Sequence, residues 1–384
     1  MDEPFETKEI LDASGFIFNS INSKKKTYYA IIIVLSIMII SVLVLGIVIM
    51  EISESNFDDN KIEILCEYDI PEKGGEIYIL SEKVKIKSDI SIYVENQLVS
   101  YDVKYTFNKG RKYNVKYVFN KVLKMENMFE NVNNLISVNI SHKKKGKFGD
   151  SLSHAFSGCT NLKKFYSNIN IGQNVDLSYM FSNCFNLKSV TFKNFGNMAK
   201  NMSHMFENCT SLESLKLNNI SDSEVEDISY MFFNCIKLDY SNLNFIENFT
   251  TSLINNMSHL FYNCNTIKSL NLYNFNTINV EDMSYMFYNC TSMEKLNISK
   301  FNTNKTQNLS YMFYNSYSLK SLDISTFNLI EVEDMSFMFY NAKSLNTLTT
   351  NEEIFKPNYN KSVNINNMFY NCKKNIIPKW YNLT

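Results

Sequence analysis

Glycine and proline are scarce, at ten and four of 384 residues, while hydrophobic residues make up 45%. A chain so poor in both and so rich in apolar side chains is not disordered as a whole. Neither sign of charge dominates: 38 basic residues face 39 acidic ones, for a formal net charge of -1. Without a clear excess of Lys and Arg, nucleic acid is excluded as a partner. The short run Lys143, Lys144 and Lys145 reads as a solvated loop. No serine-histidine-acid set, glycine-rich phosphate loop or His-Glu-x-x-His motif is present. The chain is therefore not expected to be an enzyme, and no cofactor is expected.

Against these absences stands one long apolar run. Ala30 to Met50 carries no charge, and at 1.5 Å per residue it would be about 31 Å long, enough to cross a bilayer as a helix. Tyr28 and Tyr29 sit where interfacial aromatics belong. Lys24, Lys25 and Lys26 precede the run, and Glu51, Glu54, Asp58 and Asp59 follow it. The positive-inside rule then places residues 1–27 in the cytoplasm and the remainder outside. A cleaved signal peptide would have a shorter apolar core ending in small residues. The reading is a cytoplasmic tail (1–27), an uncleaved signal anchor (28–50) and a linker (51–60). The expected protein is thus a single-pass type II membrane protein, with the plasma membrane as its location and the membrane as one partner.

Residues 61–123 show period-two alternation. Ile62, Ile64 and Cys66 alternate with polar neighbours, as do Ile90, Ile92 and Val94. Gly74-Gly75 and Asn108-Lys109-Gly110 are turn signals. The pattern predicts a small antiparallel β domain.

From 124 to 384 the sequence repeats itself. The marker Phe falls at 129, 156, 181, 206, 232, 261, 287, 313, 339 and 369, a period near 26 residues. Five residues before it stands Asp, Asn or Ser in nine repeats, from Ser151 and Asp176 to Asn364, the residue types preferred as helix N-caps. Apolar residues four and one before the Phe complete an i, i+3, i+4 stripe, the pattern of a short helix. Two residues after the Phe comes Asn, or Gly158 in one repeat, which tolerates the left-handed backbone that ends a helix. A Leu-x-x-Leu-x-Leu stretch such as Leu212, Leu215 and Leu217 then predicts a short strand. The expected fold is an α/β leucine-rich-repeat solenoid of about ten repeats, each a short helix plus a short strand.

Strings such as Met283-Ser284-Tyr285-Met286-Phe287-Tyr288-Asn289-Cys290 and Ala155-Phe156-Ser157-Gly158-Cys159 resemble the BspA-like leucine-rich-repeat surface proteins, the 26-residue-repeat group of bacterial lipoproteins and protist surface antigens. That resemblance covers roughly residues 124–384. It implies cell-surface adhesion or host interaction, and it implies no catalytic residue.

Seven of the eight cysteines fall three residues after the repeat Phe, in a column that also accepts Val132, Ser316 and Ala342. Such a column wants a small buried side chain, and in-register cysteines on successive coils do not face each other as a disulfide needs. His154, His204 and His259 share a column with Tyr179, Tyr230, Tyr285, Tyr311 and Phe337. An interchangeable His/Tyr/Phe column reads as aromatic packing, because metal ligands must converge on one point. Among the N-x-Ser/Thr sequons, Asn304, Asn360 and Asn382 lie between elements and are the expected glycosylation sites. The expected ligand face is the outward side of the strands: Ser189, Thr191, Ser214, Lys216, Ser269, Asn271, Tyr273, Lys295, Asn297, Ser321 and Asp323. Through it the solenoid would bind a protein or glycan partner in adhesion or recognition. The alternative is a structural coat glycoprotein or antigen without a specific ligand.

Overall fold

The computed structural model describes residues 61–384 except 85–89, 120–122, 143–147, 173, 196–198, 219, 221–223, 240, 242, 244, 247–248, 250, 359–361 and 384. The chain divides into units Met1–Asp58 and Asp59–Thr384. The expected tail, anchor and linker (1–60) all lie outside the described residues. Among the described residues no helix is long and apolar enough to cross a membrane; the longest strands there have eight residues. The expectation of a single-pass transmembrane protein, with the membrane as partner and the plasma membrane as its location, is corrected accordingly.

The first strands are antiparallel. β1 (Ile62–Asp69) lies between β6 (Lys112–Phe119) and β7 (Leu135–Ser141), antiparallel to both. β3 (Ile90–Val94) pairs with β6, and β4 (Gln97–Val99) with β3. β2 (Gly75–Tyr78) pairs separately with β5 (Lys104–Phe107). The buried side of β1 carries Ile62, Ile64, Cys66 and Tyr68. The hydroxyls of Tyr68 and Tyr117 meet at 2.8 Å, and both reach the Ile79 carbonyl, at 2.8 and 2.6 Å. These buried phenols are thereby satisfied, and they tie the Ile79 segment under the sheet.

From β7 the same sheet continues in parallel through β8 (Lys164–Ser167), β10 (Ser189–Phe192) and β12 (Ser214–Leu217). Between them, short β9 (Val175–Asp176) and β11 (Ala199–Asn201) pair in a second ladder. Further along, β13 (Ser269–Asn271) pairs with β14 (Lys295–Asn297), and β15 (Ser321–Asp323) with β16 (Thr347–Thr349), again in parallel. The column expected to cap helices extends the second ladder instead, as bridges from Asn201 through Asp227, Asn256, Asp282, Asn308 and Asp334 to Asn364.

The helix in each repeat does not exist, and the fold is a β-solenoid rather than an α/β leucine-rich-repeat structure. Among the described residues there is no α-helix; short 3-10 turns, Lys374–Ile376 and Lys379–Leu383, lie at the C-terminal end. The reason lies in the backbone of the segment read as helical. Tyr285 and Asn289 both have φ of 57°, on the left-handed side that an α-helix never uses. The counterparts of both residues are left-handed in all ten repeats.

Reversing handedness twice in five residues sends every second amide out of the coil. Tyr285, Phe287 and Asn289 donate to Ser310, Met312 and Tyr314 of the next coil, at 2.9, 3.0 and 2.8 Å. Met286 and Tyr288 donate back three residues, to Met283 and Tyr285, at 3.4 and 3.0 Å. The Ser284 amide goes to Asp282 Oδ1 at 2.8 Å, so the "cap" side chain does accept, but in a two-residue Asx turn. All amides of this arc are thus satisfied, half within the coil and half between coils.

The core runs along the solenoid axis. The ten repeat phenylalanines form one continuous stack, from Phe129 to Phe369, with neighbouring centroids 5.2–5.9 Å apart. Tyr117 of β6 meets its first member, Phe129, edge-on at 5.3 Å. At the far end Tyr381 meets Phe369 edge-on at 5.1 Å.

Candidate functional site

Strand alternation decides which side chains line the outer sheet face. In β13 and β14 the middle residues, Leu270 and Leu296, turn inward, and their neighbours turn outward. The register sets Ser269 beside Lys295 and Asn271 beside Asn297. β14 and β15 are not paired with each other. A groove of about 270 Å³ lies here, lined by Ser269, Leu270, Asn271, Lys295, Leu296, Asn297 and Ser321.

Five of the expected face residues therefore converge: Ser269, Asn271, Lys295, Asn297 and Ser321. Tyr273 stands just beyond β13, 45% exposed, with the Lys300 ammonium 5.4 Å from its ring centre. Asp323 is exposed on β15, but its Oδ1 is engaged by the Ser325 amide at 2.9 Å. Ser189, Thr191, Ser214 and Lys216 lie on β10 and β12, which belong to a different sheet. Of the expected glycosylation sites, Asn304 is exposed and accepts from Asn328 Nδ2 at 3.0 Å. Asn382 falls in the turn Lys379–Leu383, and Asn360 lies outside the described residues.

The groove is a set of donors. Asn271 Oδ1 is held by the Tyr273 amide at 3.2 Å. Asn297 Oδ1 is held by the amide and hydroxyl of Ser299, at 3.3 and 2.8 Å. Both amide oxygens are thus committed inward, which leaves the two Nδ2 groups to donate. Lys295 adds an ammonium, and among the described residues it forms no ion pair; its neighbour Glu294 is taken by Lys320 at 2.6 Å. No carboxylate lines the groove. The ladder between β13 and β14 occupies the backbone groups on their shared edge. The arrangement can bind a group rich in acceptors.

The opposite, turn-forming side of the repeats carries two aromatic columns. The His/Tyr/Phe column stacks from His154 to Phe337, with centroids 4.1–4.7 Å apart. A second column, Phe233, Tyr262, Tyr288, Tyr314, Tyr340 and Tyr370, stacks at 4.4–4.7 Å. Sequence reasoning missed this second column, although an aromatic one residue after the Phe in six consecutive repeats was a sufficient signal. Because the rings stack face to face, each face is covered by its neighbour and mainly edges reach solvent. His259 sits within the first column, its Nδ1 buried without a partner, and burial lowers its pKa to about 4.

The cysteine column is a third ladder. All eight cysteines are free thiols. Each column Sγ lies at 2.9–3.2 Å from the Phe carbonyl of the coil before, as Cys290 does on Phe261. Burial pushes the Cys290 thiol up to about 12. Six of these seven thiols are buried core groups, shielded from reaction, and Cys372 is partly exposed.

No curated protein matches the chain. A family model described as "Mycoplasma protein of unknown function, DUF285" matches it over residues 100–214, 150–270, 200–296 and 255–380. The four overlapping matches restate the internal repeat and together span most of the chain. This tandem-repeat solenoid belongs to the DUF285 family.

Proposed function

We propose that the chain is a recognition solenoid, without catalysis of its own, that offers its sheet face to a protein or glycan partner. The observation that carries this reading is the convergence of Ser269, Asn271, Lys295, Asn297 and Ser321 on one groove, where the two asparagine oxygens are engaged and the side-chain donors have no hydrogen-bond acceptor among the described residues. Stacked coils hold such a face rigid, which spares the ordering cost that a mobile loop would add on binding. The resemblance of residues 124–384 to BspA-like repeats points the same way, toward adhesion.

The test is binding of the full chain to immobilised panels of glycans and proteins, beside a Ser269→Arg variant that fills the groove from an exposed position. Selective capture by the parent chain, lost in the variant at unchanged thermal stability, supports recognition. Absence of selective capture, or capture indifferent to Ser269→Arg, removes the reading. It would leave a structural coat role without a ligand, which the unbroken Phe, Asn and Tyr ladders favour.

A further inference from the structure

The groove's chemistry narrows the partner. We propose that it holds one acidic sugar residue of a glycan chain, an inference that rests on the recognition reading above. The lining offers the Nδ2 groups of Asn271 and Asn297, the hydroxyls of Ser269 and Ser321, and the Lys295 ammonium, with no acid among them. A ligand that satisfies them needs one carboxylate and several further oxygen acceptors close together on a small body. A hexuronic acid ring has that distribution. An aspartate or glutamate side chain has the carboxylate and lacks the surrounding hydroxyls.

Other anions fit less well. Phosphate is recognised best by guanidinium forks or by nests of convergent backbone amides, and here the lining cation is a single lysine on an extended strand. Half-buried Leu296 adds an apolar element to the lining and suits the C–H face of a pyranose. At about 270 Å³ the groove is just below the range of roughly 300–1,000 Å³ that suits drug-sized ligands, so it takes one ring rather than a whole oligosaccharide. Tyr273 and Lys300, at the end of the strands, give the adjoining sugar an aromatic surface and a second cation. Unlike the laddered tyrosines, Tyr273 has no ring neighbour among the described residues.

The experiment is calorimetric titration of the full chain with three probes: a short oligogalacturonate, its methyl ester and a polyglutamate peptide. The oligogalacturonate is expected to bind about tenfold more tightly than its ester, the scale of one charge-assisted contact. Lys295→Gln is expected to remove that difference and leave ester binding unchanged. Lys305→Gln, whose ammonium is held by Asn279 away from the groove, is expected to change neither. Equal affinity for acid and ester, an unaffected Lys295→Gln variant, or no binding of either sugar overturns the proposal. Polyglutamate binding as strong as the sugar's, with the same Lys295 dependence, also overturns it in favour of an acidic peptide, and leaves recognition standing. Recognition itself falls if the immobilised panels capture nothing selectively, or if capture is indifferent to Ser269→Arg.

Discussion

The side-chain amide of Asn289 donates to Asn263 Oδ1 at 2.6 Å, one coil back along the solenoid. Asn315 donates to Asn289 in turn at 3.4 Å, and the ladder runs on through Asn341 to Asn371. Asn289 also has φ of 57°. One residue type thus meets two demands: it tolerates the left-handed backbone, and its amide carries both a donor and an acceptor for neighbouring coils.

These demands can be separated. Asn289→Gly keeps the backbone freedom and loses only the ladder bonds, a cost of about 1–2 kcal/mol. Asn289→Ala loses both, a cost of about 2–4 kcal/mol. Urea midpoints of the two variants read the difference; equal losses would show that the left-handed backbone is not what selects Asn here.

Phe287 is fully buried between Phe261 and Phe313, at 5.9 and 5.6 Å. Phe287→Ala is expected to cost about 3–5 kcal/mol. In a linear array that cost falls on the two interfaces flanking one coil. The denaturation curve should therefore split or broaden with a reduced slope. A parallel shift of one sharp transition would mean the solenoid is more cooperative than nearest-neighbour stacking implies.

Seven cysteines are buried, and Cys372 alone is partly exposed, with its pKa raised by burial to about 11. An aromatic disulfide reagent should label Cys372 first and slowly, and the other seven only on unfolding. Reducing agent should leave the melting temperature unchanged. A fall in melting temperature on reduction would reveal a disulfide and contradict the thiol ladder.

Burial holds His259 at about 4, below its ordinary 6.5. Between those values the unfolded chain binds the extra proton, so stability is retained above pH 6.5 and falls as pH drops toward 4. Allowing for the ring's partial exposure, the loss is roughly 1–2 kcal/mol. His259→Tyr, which installs the residue of the neighbouring coils Tyr230 and Tyr285, should remove that part of the pH dependence. A variant with the same acid profile as the parent would assign the loss to other groups.

Some of this was legible before any fold was known. The ten phenylalanines, the Asp/Asn column and the small-residue cysteine column all appear in the sequence at their structural spacing, because each coil must present the same side chain to the same neighbour. The outward strand positions were legible too, since period two in Leu270 and Leu272 leaves Ser269, Asn271 and Tyr273 outside. The convergence of five of them on one groove was not, because it depends on β14 and β15 failing to pair. The helix was misread for a specific reason. Met283, Met286 and Phe287 have helical spacing, and a tight arc of turns buries that same set. Hydrophobic periodicity alone does not distinguish the two.

The sequence by itself determined the repeat, its length and which columns face inward, because burial of apolar side chains demands a fixed pattern in every coil. Only the tertiary structure decided where the backbone amides go. Tyr285 and its column partners are ordinary residues locally, and nothing within one repeat favours φ of 57° for an aromatic side chain. That conformation is stable because the amides it turns outward find carbonyls on the next coil, and its ring finds another ring at 4.5 Å. Those partners are about 26 residues away in sequence, and they become neighbours only when the coils stack.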